Sequence, residues 1–337
     1  MKKIIIIIAL LLIFLYLADV ECYAQKKKRS SKKIKAGRLI DSVFNLYGKG
    51  TETDPFLIKN LSDLNQLSKV CNNEKYFVTK NKYFKQTKNI VITSNYLQIG
   101  TKEKSFCGNY DGNGFDIRFS QVSFAQETYY AVFAVSEGNI YNLSVSGDFN
   151  ISYNLSNIYA AGIVAFNKGS ISKCYNNVNI YAKGTYGDVY VGGISGRSEK
   201  GSIIDCYNLA DLSSNSENSY CGGIVGWNST NSDIYNCYSI GKIKGYMIGG
   251  IIGMNYGNLE NSYFLKFYTD KEINNNVEVV GNNGGKVSSS DSKIESEMKH
   301  SNFNSLLSSN YKYVSNDYPK LIWEKSKKKV SSKKKKL

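Results

Sequence analysis

The 337-residue chain has little of what hydrolytic and metal sites are usually built from: its one histidine is His300, in EMKHSNFN. A zinc site needs a second histidine or a cysteine pair at ligand spacing, and neither accompanies His300, so no metal and no cofactor is expected. Sequence alone leaves a Cys-His nucleophilic pair open, but the cysteines recur within a repeat, which favours a core role for them. A membrane-spanning run is lacking too. Ile4–Ala18 gives about 15 apolar residues, short of the roughly 20 that cross a bilayer, and Asp19 and Glu21 follow at once. With Lys2 and Lys3 ahead of the run and Ala24 as a small residue for cleavage, residues 1–24 read as a secretory signal peptide, leaving no transmembrane anchor in the mature chain. Val20 and Glu21 stand where a lipobox would place small residues, against a lipid-anchored Cys22.

The body of the chain also lacks net charge. The formal +15 comes from KKKRSSKKIKAGR (26–38) and KSKKKVSSKKKKL (325–337), each with 8 basic side chains. Residues 39–324 carry 25 basic against 26 acidic side chains. Runs of the first kind cannot bury enough apolar surface to fold. They either contact anionic surface polymers through counterion release or serve as solubilising linkers. A near-neutral body gives no specific nucleic-acid face. At 42% hydrophobic and 13% aromatic, the chain as a whole is folded, as one or two domains.

Internal repetition is abundant. Aligned on one glycine, the chain reads AAGIVAFNKGSISKCY (160–175), VGGISGRSEKGSIIDCY (191–207), CGGIVGWNSTNSDIYNCY (221–238) and IGGIIGMNYGNLENSYF (248–264). A fainter copy, YAVFAVSEGNIYNLSV (130–145), precedes them. Gly162, Gly193, Gly223 and Gly250 follow one another at 31, 30 and 27 residues, with Ala131 in the glycine position of the first copy. No copy contains an amphipathic helix. Each carries the pairs Ile140/Leu143, Ile171/Cys174, Ile203/Cys206, Ile234/Cys237 or Leu259/Ser262, three residues apart. Strand side chains alternate faces, so two inward residues three apart require a corner between them.

A helix-free repeat of this length with about three short strands fits one rung of a parallel β-solenoid, in which equivalent residues stack roughly 4.8 Å apart. Glycine then recurs where a side chain would meet its own copy, or where positive φ is needed. Asn167, Asn228 and Asn255 form a row of amides, read as broken by Arg197. Cys174, Cys206 and Cys237 form an interior row of small thiols. Six cysteines remain after Cys22, an even number that permits disulfides; Cys71 with Cys107, and Cys221 with a thiol of a neighbouring rung, both stay open.

The pattern GGIVGxN…IxNCY resembles the GLUG-motif repeat of bacterial surface and adhesin-like proteins, found also in non-catalytic parts of some immunoglobulin A proteases. GKGTETDPFLIKNLSDLNQL (48–67) is similar to the opening segment of such proteins, FCGNYDGNGFDI (106–117) to the turn before their first repeat, and NDYPKLIWE (316–324) to their closing strand. The resemblance covers about residues 48–324. It implies an all-β, right-handed parallel β-helix of about five repeats on a bacterial surface, and it implies no ligand. The organisation expected is a signal peptide (1–24), a basic disordered linker (25–47), an N-terminal cap (48–128), the repeats (129–268), a C-terminal cap (269–324) and a disordered Lys-rich tail (325–337).

Candidate chemistry is sparse. GGIVGW resembles a phosphate loop, but that chemistry needs a helix to follow, and another strand does. Asp111, Asn113 and Asp116 in DGNGFD suit calcium less well than a turn, since D-G and N-G are hairpin signals. Asp188, Asp205, Asp211 and Asp233 are the scattered acids from which a β-helix carbohydrate-active enzyme would need a convergent pair. Because Cys precedes Tyr in these copies, with Ser262 in its place in the last, alternation turns Tyr175, Tyr207, Tyr238 and Tyr263 outward as a surface row. That row with Trp227 is the expected contact surface for host or bacterial surface glycans or proteins. The expected function is a non-catalytic, secreted or cell-surface, adhesin-like module; the alternatives are a polysaccharide lyase or hydrolase and a passive spacer.

Overall fold

A computed structural model describes residues 43–73, 78–93, 95–124, 128–266 and 277–324. Residues 1–42, which hold the expected signal peptide and most of the expected linker, and the tail 325–337 lie outside the described residues. The chain is an all-β parallel solenoid of about seven turns. Successive turns contribute strands to three sheets. In one turn, Val189–Gly192 joins a five-stranded sheet, Ser195–Ile204 a 13-stranded sheet, and Tyr207–Asn208 with Leu212–Ser214 a ten-stranded sheet. Pairing between turns is parallel and in repeat register: Ile140, Ile171, Ile203, Ile234 and Leu259 lie one above another.

The corner required between residues three apart is present in all five copies. The residue before each cysteine position adopts the left-handed conformation: Asn142, Lys173, Asp205, Asn236 and Asn261, with φ between 49° and 55°. Three of the five are asparagine, whose short polar side chain tolerates that region best after glycine. The turn brings both members of each pair inside, so Ile203 and Cys206 are fully buried. After the corner the alternation is regular, and Cys174, Val178 and Ile180 are all interior. Burial pushes the Cys206 and Cys237 thiols far above the ordinary cysteine range, which makes them inert core groups. All six described cysteines are free. The two disulfide alternatives therefore both fall: Cys71 and Cys107 are unbonded, and Cys221 is flanked in register by Val191 and Ile248.

The amide row is longer than its sequence reading. Register aligns Asn167, Ser198, Asn228, Asn255 and Asn283, so Ser198 and not Arg197 occupies the position read as broken. Asn167 donates to Ser198 Oγ at 3.1 Å, Asn228 to Asn255 at 2.9 Å, and Asn255 to Asn283 at 2.9 Å. A second buried row was missed: Asn176 donates to Asn208 at 2.8 Å, and Asn208 to Ser239 at 3.2 Å. Its signal was the residue after each Cys-Tyr pair.

The glycines of GGIVG approach protein, not ligand. A Cβ on Gly222 would stand 2.0 Å from Val225 O, so only glycine lets the chain turn back on itself there. One on Gly223 would stand 2.2 Å from Gly250 O in the next turn and 2.4 Å from Ser239 Oγ across the interior. Neither has positive φ, so close approach, not conformational freedom, selects glycine. No helix follows: Val225–Tyr235 is a strand.

Several boundaries move. Phe44 and Leu46 are core residues, so the folded body begins inside the stretch assigned to the linker 25–47. Within the expected N-terminal cap, Tyr83–Gln86, Asn109–Asp111 and Asp116–Phe119 are already rungs, preceded by a helix at Leu61–Asn73 that buries Leu64, Leu67 and Val70. Within the expected C-terminal cap, Val280–Asn283, Lys286–Ser288 and Asp291–Lys293 add another rung. Ala131 is out of strict register with Gly162, because Tyr129 pairs with Tyr159 but Phe133 with Val164, leaving one residue fewer at that corner. DGNGFD is a turn, with Asn113 at φ 52° and Gly114 at φ 75°, but it joins strands of two different parallel sheets and is no hairpin.

Replacing Gly223 by valine forces its side chain into the next turn's backbone. The expected loss is about 1–3 kcal/mol of stability. A melting temperature equal to the parent's would refute the stacked corner.

Candidate partner surface

Tyr175, Tyr207, Tyr238 and Tyr263 stack in register as expected, with ring centroids 4.8 Å apart at the first two steps and planes within 11° and 3° of parallel. The alternation argument is right about the solenoid: the cysteines point in and the tyrosines out. It is wrong about exposure. Tyr207 and Tyr238 are 0% exposed and Tyr263 6%, because residues 294–324 fold back over the row. Tyr175 is half-buried, its ring stacked on Trp323 at 5.8 Å. Met298, Phe303, Leu307, Tyr311 and Leu321 complete the apolar cover. NDYPKLIWE is thus no closing strand of the stack; Lys320–Leu321 pairs antiparallel with Tyr311–Lys312 in a small ribbon laid on the ladder.

The cover is fastened at the left-handed corners. Ser308 and Asn310 each donate to an Asp205 carboxylate oxygen at 2.6 Å. The Tyr311 hydroxyl lies 3.2 Å from Cys206 O and 3.0 Å from Asn236 O, and the Trp323 indole donates to Lys173 O at 2.9 Å. Tyr238 donates its hydroxyl to Pro319 O, and Tyr207 to Glu324 Oε1 at 2.7 Å. Burial raises the Tyr207 and Tyr238 hydroxyls well above the ordinary tyrosine range. It also holds the Glu324 carboxyl above the usual range, against the Tyr207 hydroxyl and Leu321 amide that donate to it.

Trp227 belongs elsewhere. A second aromatic row, which the sequence reading missed, runs Tyr129, Tyr159, Tyr190, Tyr220 on the five-stranded sheet, with centroids 5.4, 5.0 and 5.4 Å apart. Beside it on the 13-stranded sheet, Phe166, Arg197, Trp227 and Met254 lie in register. Trp227 stands nearly perpendicular to Tyr190 at 5.8 Å and to Tyr220 at 5.1 Å, and Tyr256, 41% exposed, lies 5.5 Å from it. Tyr129, Tyr159, Tyr220, Trp227 and Arg197 are half-buried, so this strip keeps an open side. Its signal was in the alignment, since Tyr159, Tyr190 and Tyr220 each stand three residues before the repeat glycine.

The remaining candidates are spoken for. Asp205 holds the C-terminal segment, Asp188 accepts from Tyr190 at 2.7 Å, Asp211 from the Lys242 amide at 2.8 Å and Asp233 from Asn258 at 2.6 Å. Asp111 caps its own turn through the Asn113 amide, and Asp116 accepts from Ser144 and Ser146. His300 Nδ1 accepts from the Asn302 amide at the start of the short helix Ser301–Leu306. Among the described residues, no three His, Cys, Asp or Glu side chains gather as metal ligands, and no helix is long and apolar enough to cross a membrane.

The fold and its ladders define a β-solenoid repeat protein. Residues 217–244, which contain the GGIVG rung, match the GLUG motif. A crystal structure from Bacteroides ovatus, of a protein provisionally named an immunoglobulin A1 protease, has the same fold, with a TM-score of 0.57 at 18% identity over 83% of this chain and 95% of that one. No curated protein matches the sequence.

A carboxyl held above its unfolded-chain range binds its proton more tightly in the folded state. Its contribution is present at pH below both values and is lost as pH rises through the folded one. Glu324→Gln keeps an acceptor for Tyr207 without the charge. The melting temperature of the parent should therefore fall relative to Glu324→Gln over the range just above the ordinary glutamate value of about 4.3. A difference that stays constant over that range would contradict a buried, proton-retaining carboxyl.

Proposed function

We infer that this chain is a non-catalytic, adhesin-like binding module, secreted or held at the cell surface, that meets glycan or protein partners through the strip around Trp227. The observation that carries this reading is the strip itself. Tyrosine and tryptophan rings with polar edges line one corner of a rigid stack and stay partly open, while the other tyrosine ladder is sealed. Side chains of this kind combine apolar area with a hydrogen-bonding handle at small entropic cost, as binding surfaces require. Support for a non-catalytic role comes from the acids, each of which is engaged in a separate structural hydrogen bond. The basic stretches form a second, sequence-indifferent contact to anionic polymers.

The test is a glycan and surface-protein panel probed with the mature chain, with Trp227→Ala, and with a form lacking residues 25–42 and 325–337. Binding that survives removal of both stretches and is lost in Trp227→Ala is the expected result. Binding that disappears in high salt or with the basic stretches would assign contact to the tails alone. Release of product from any polysaccharide would overturn the non-catalytic reading, and a panel with no binder would leave a passive spacer.

A further inference from the structure

We propose that the strip takes a linear acidic polysaccharide, with a sugar carboxylate seated on Arg197; this rests on the strip being the contact surface. Arg197 is the one charged residue in its row, stacked between Phe166 and Trp227. Its guanidinium carbon lies 5.7 Å from the Phe166 ring centroid, 5.8 Å from Tyr190 and 5.5 Å from Trp227. Three rings hold the cation in place while its side chain stays 25% exposed, and among the described residues one acceptor meets it, Glu199 Oε1 at 3.1 Å. Among the described residues Nε is buried with no hydrogen-bond partner, out of a ligand's reach, so a carboxylate would meet the exposed terminal nitrogens of the guanidinium. The guanidinium fork is shaped for a planar carboxylate bound through two parallel hydrogen bonds.

The surroundings favour a sugar as the carrier of that carboxylate. Tyr129, Tyr159, Tyr190 and Tyr220 bring one phenol per turn along the solenoid axis, at about the 4.8 Å rung period. A linear polymer lying along the axis therefore meets the half-buried Tyr129, Tyr159 and Tyr220 at the turns on either side of the buried Tyr190. Pyranose rings offer an apolar C–H face to aromatic rings and hydroxyls to phenol edges. Glu199 stands beside Arg197, and Asp188 accepts from the Tyr190 hydroxyl. The site therefore suits one carboxylate at Arg197 and neutral contacts on the adjoining turns.

The test measures binding of a galacturonate tetramer, its carboxyl-reduced neutral counterpart and a short polyglutamate to the full chain and to Arg197→Gln, Arg197→Lys and Trp227→Ala. Circular dichroism and melting check that each variant folds. Because the basic stretches are identical in every protein, any tail contribution cancels. Expected is a loss of about tenfold for the acidic tetramer in Arg197→Gln, a smaller loss in Arg197→Lys, and a neutral tetramer that binds weakly and ignores both changes. Equal affinity of Arg197→Gln and the parent for the acidic tetramer overturns the proposal. If Trp227→Ala then still abolishes neutral binding, the contact surface stands and only the acidic ligand falls. Polyglutamate that binds as tightly as the tetramer and loses as much in Arg197→Gln overturns the sugar assignment. Failure of all three probes to bind overturns the proposal too.

Discussion

Every position in this fold has to live beside copies of itself. Parallel turns in repeat register bring each residue to about 4.8 Å from its equivalents above and below, so a side chain is acceptable only if it tolerates its own kind as a neighbour. Amides pass that test by hydrogen-bonding in a row, as Asn228, Asn255 and Asn283 do. Aromatic rings pass by stacking face to face, as Tyr207 and Tyr238 do at 3°. Apolar branched residues pass by packing, as Ile171, Ile203 and Ile234 do. At the corner where Gly223 meets the next turn's backbone, no side chain passes at all. Arg197 is the exception, a like-charged column avoided because its neighbours in register are Phe166 and Trp227.

This constraint explains which features were readable in advance. Anything periodic was visible: the repeat spacing, the inward cysteines and the need for a corner between Ile203 and Cys206 all follow from self-similarity. The conformation at that corner was not, since Lys173 and Asp205 occupy a left-handed position that asparagine fills elsewhere. Arg197 was read into the amide row although it lies in register with Trp227, and the adjacent Ser198 holds that place. The Tyr159, Tyr190 and Tyr220 row was present in the alignment but stood just upstream of the glycine from which each copy was read.

What the sequence could not convey is contact between parts that do not repeat. Alternation put Tyr207 and Tyr238 on the outside of the solenoid, and they are there. Their burial depends on Tyr311, Phe303 and Leu321, whose spacing bears no relation to the 30-residue period. A sheet face read in isolation looks free whenever its cover is drawn from a remote, aperiodic stretch, and the same holds for Asp205, which stood among the scattered acids and is in fact an anchor for Ser308 and Asn310.

The fastening of residues 294–324 also decides how load enters the molecule. A stack of turns touching only their neighbours peels from whichever end is pulled, one turn at a time. Here the chain leaves the last turn and is pinned across the side of earlier ones, at Lys173, Asp205 and Asn236, before it reaches Glu324. Tension arriving from beyond Glu324 would first meet those lateral bonds, spread over three turns, and would pull across the rungs instead of unzipping the terminal one.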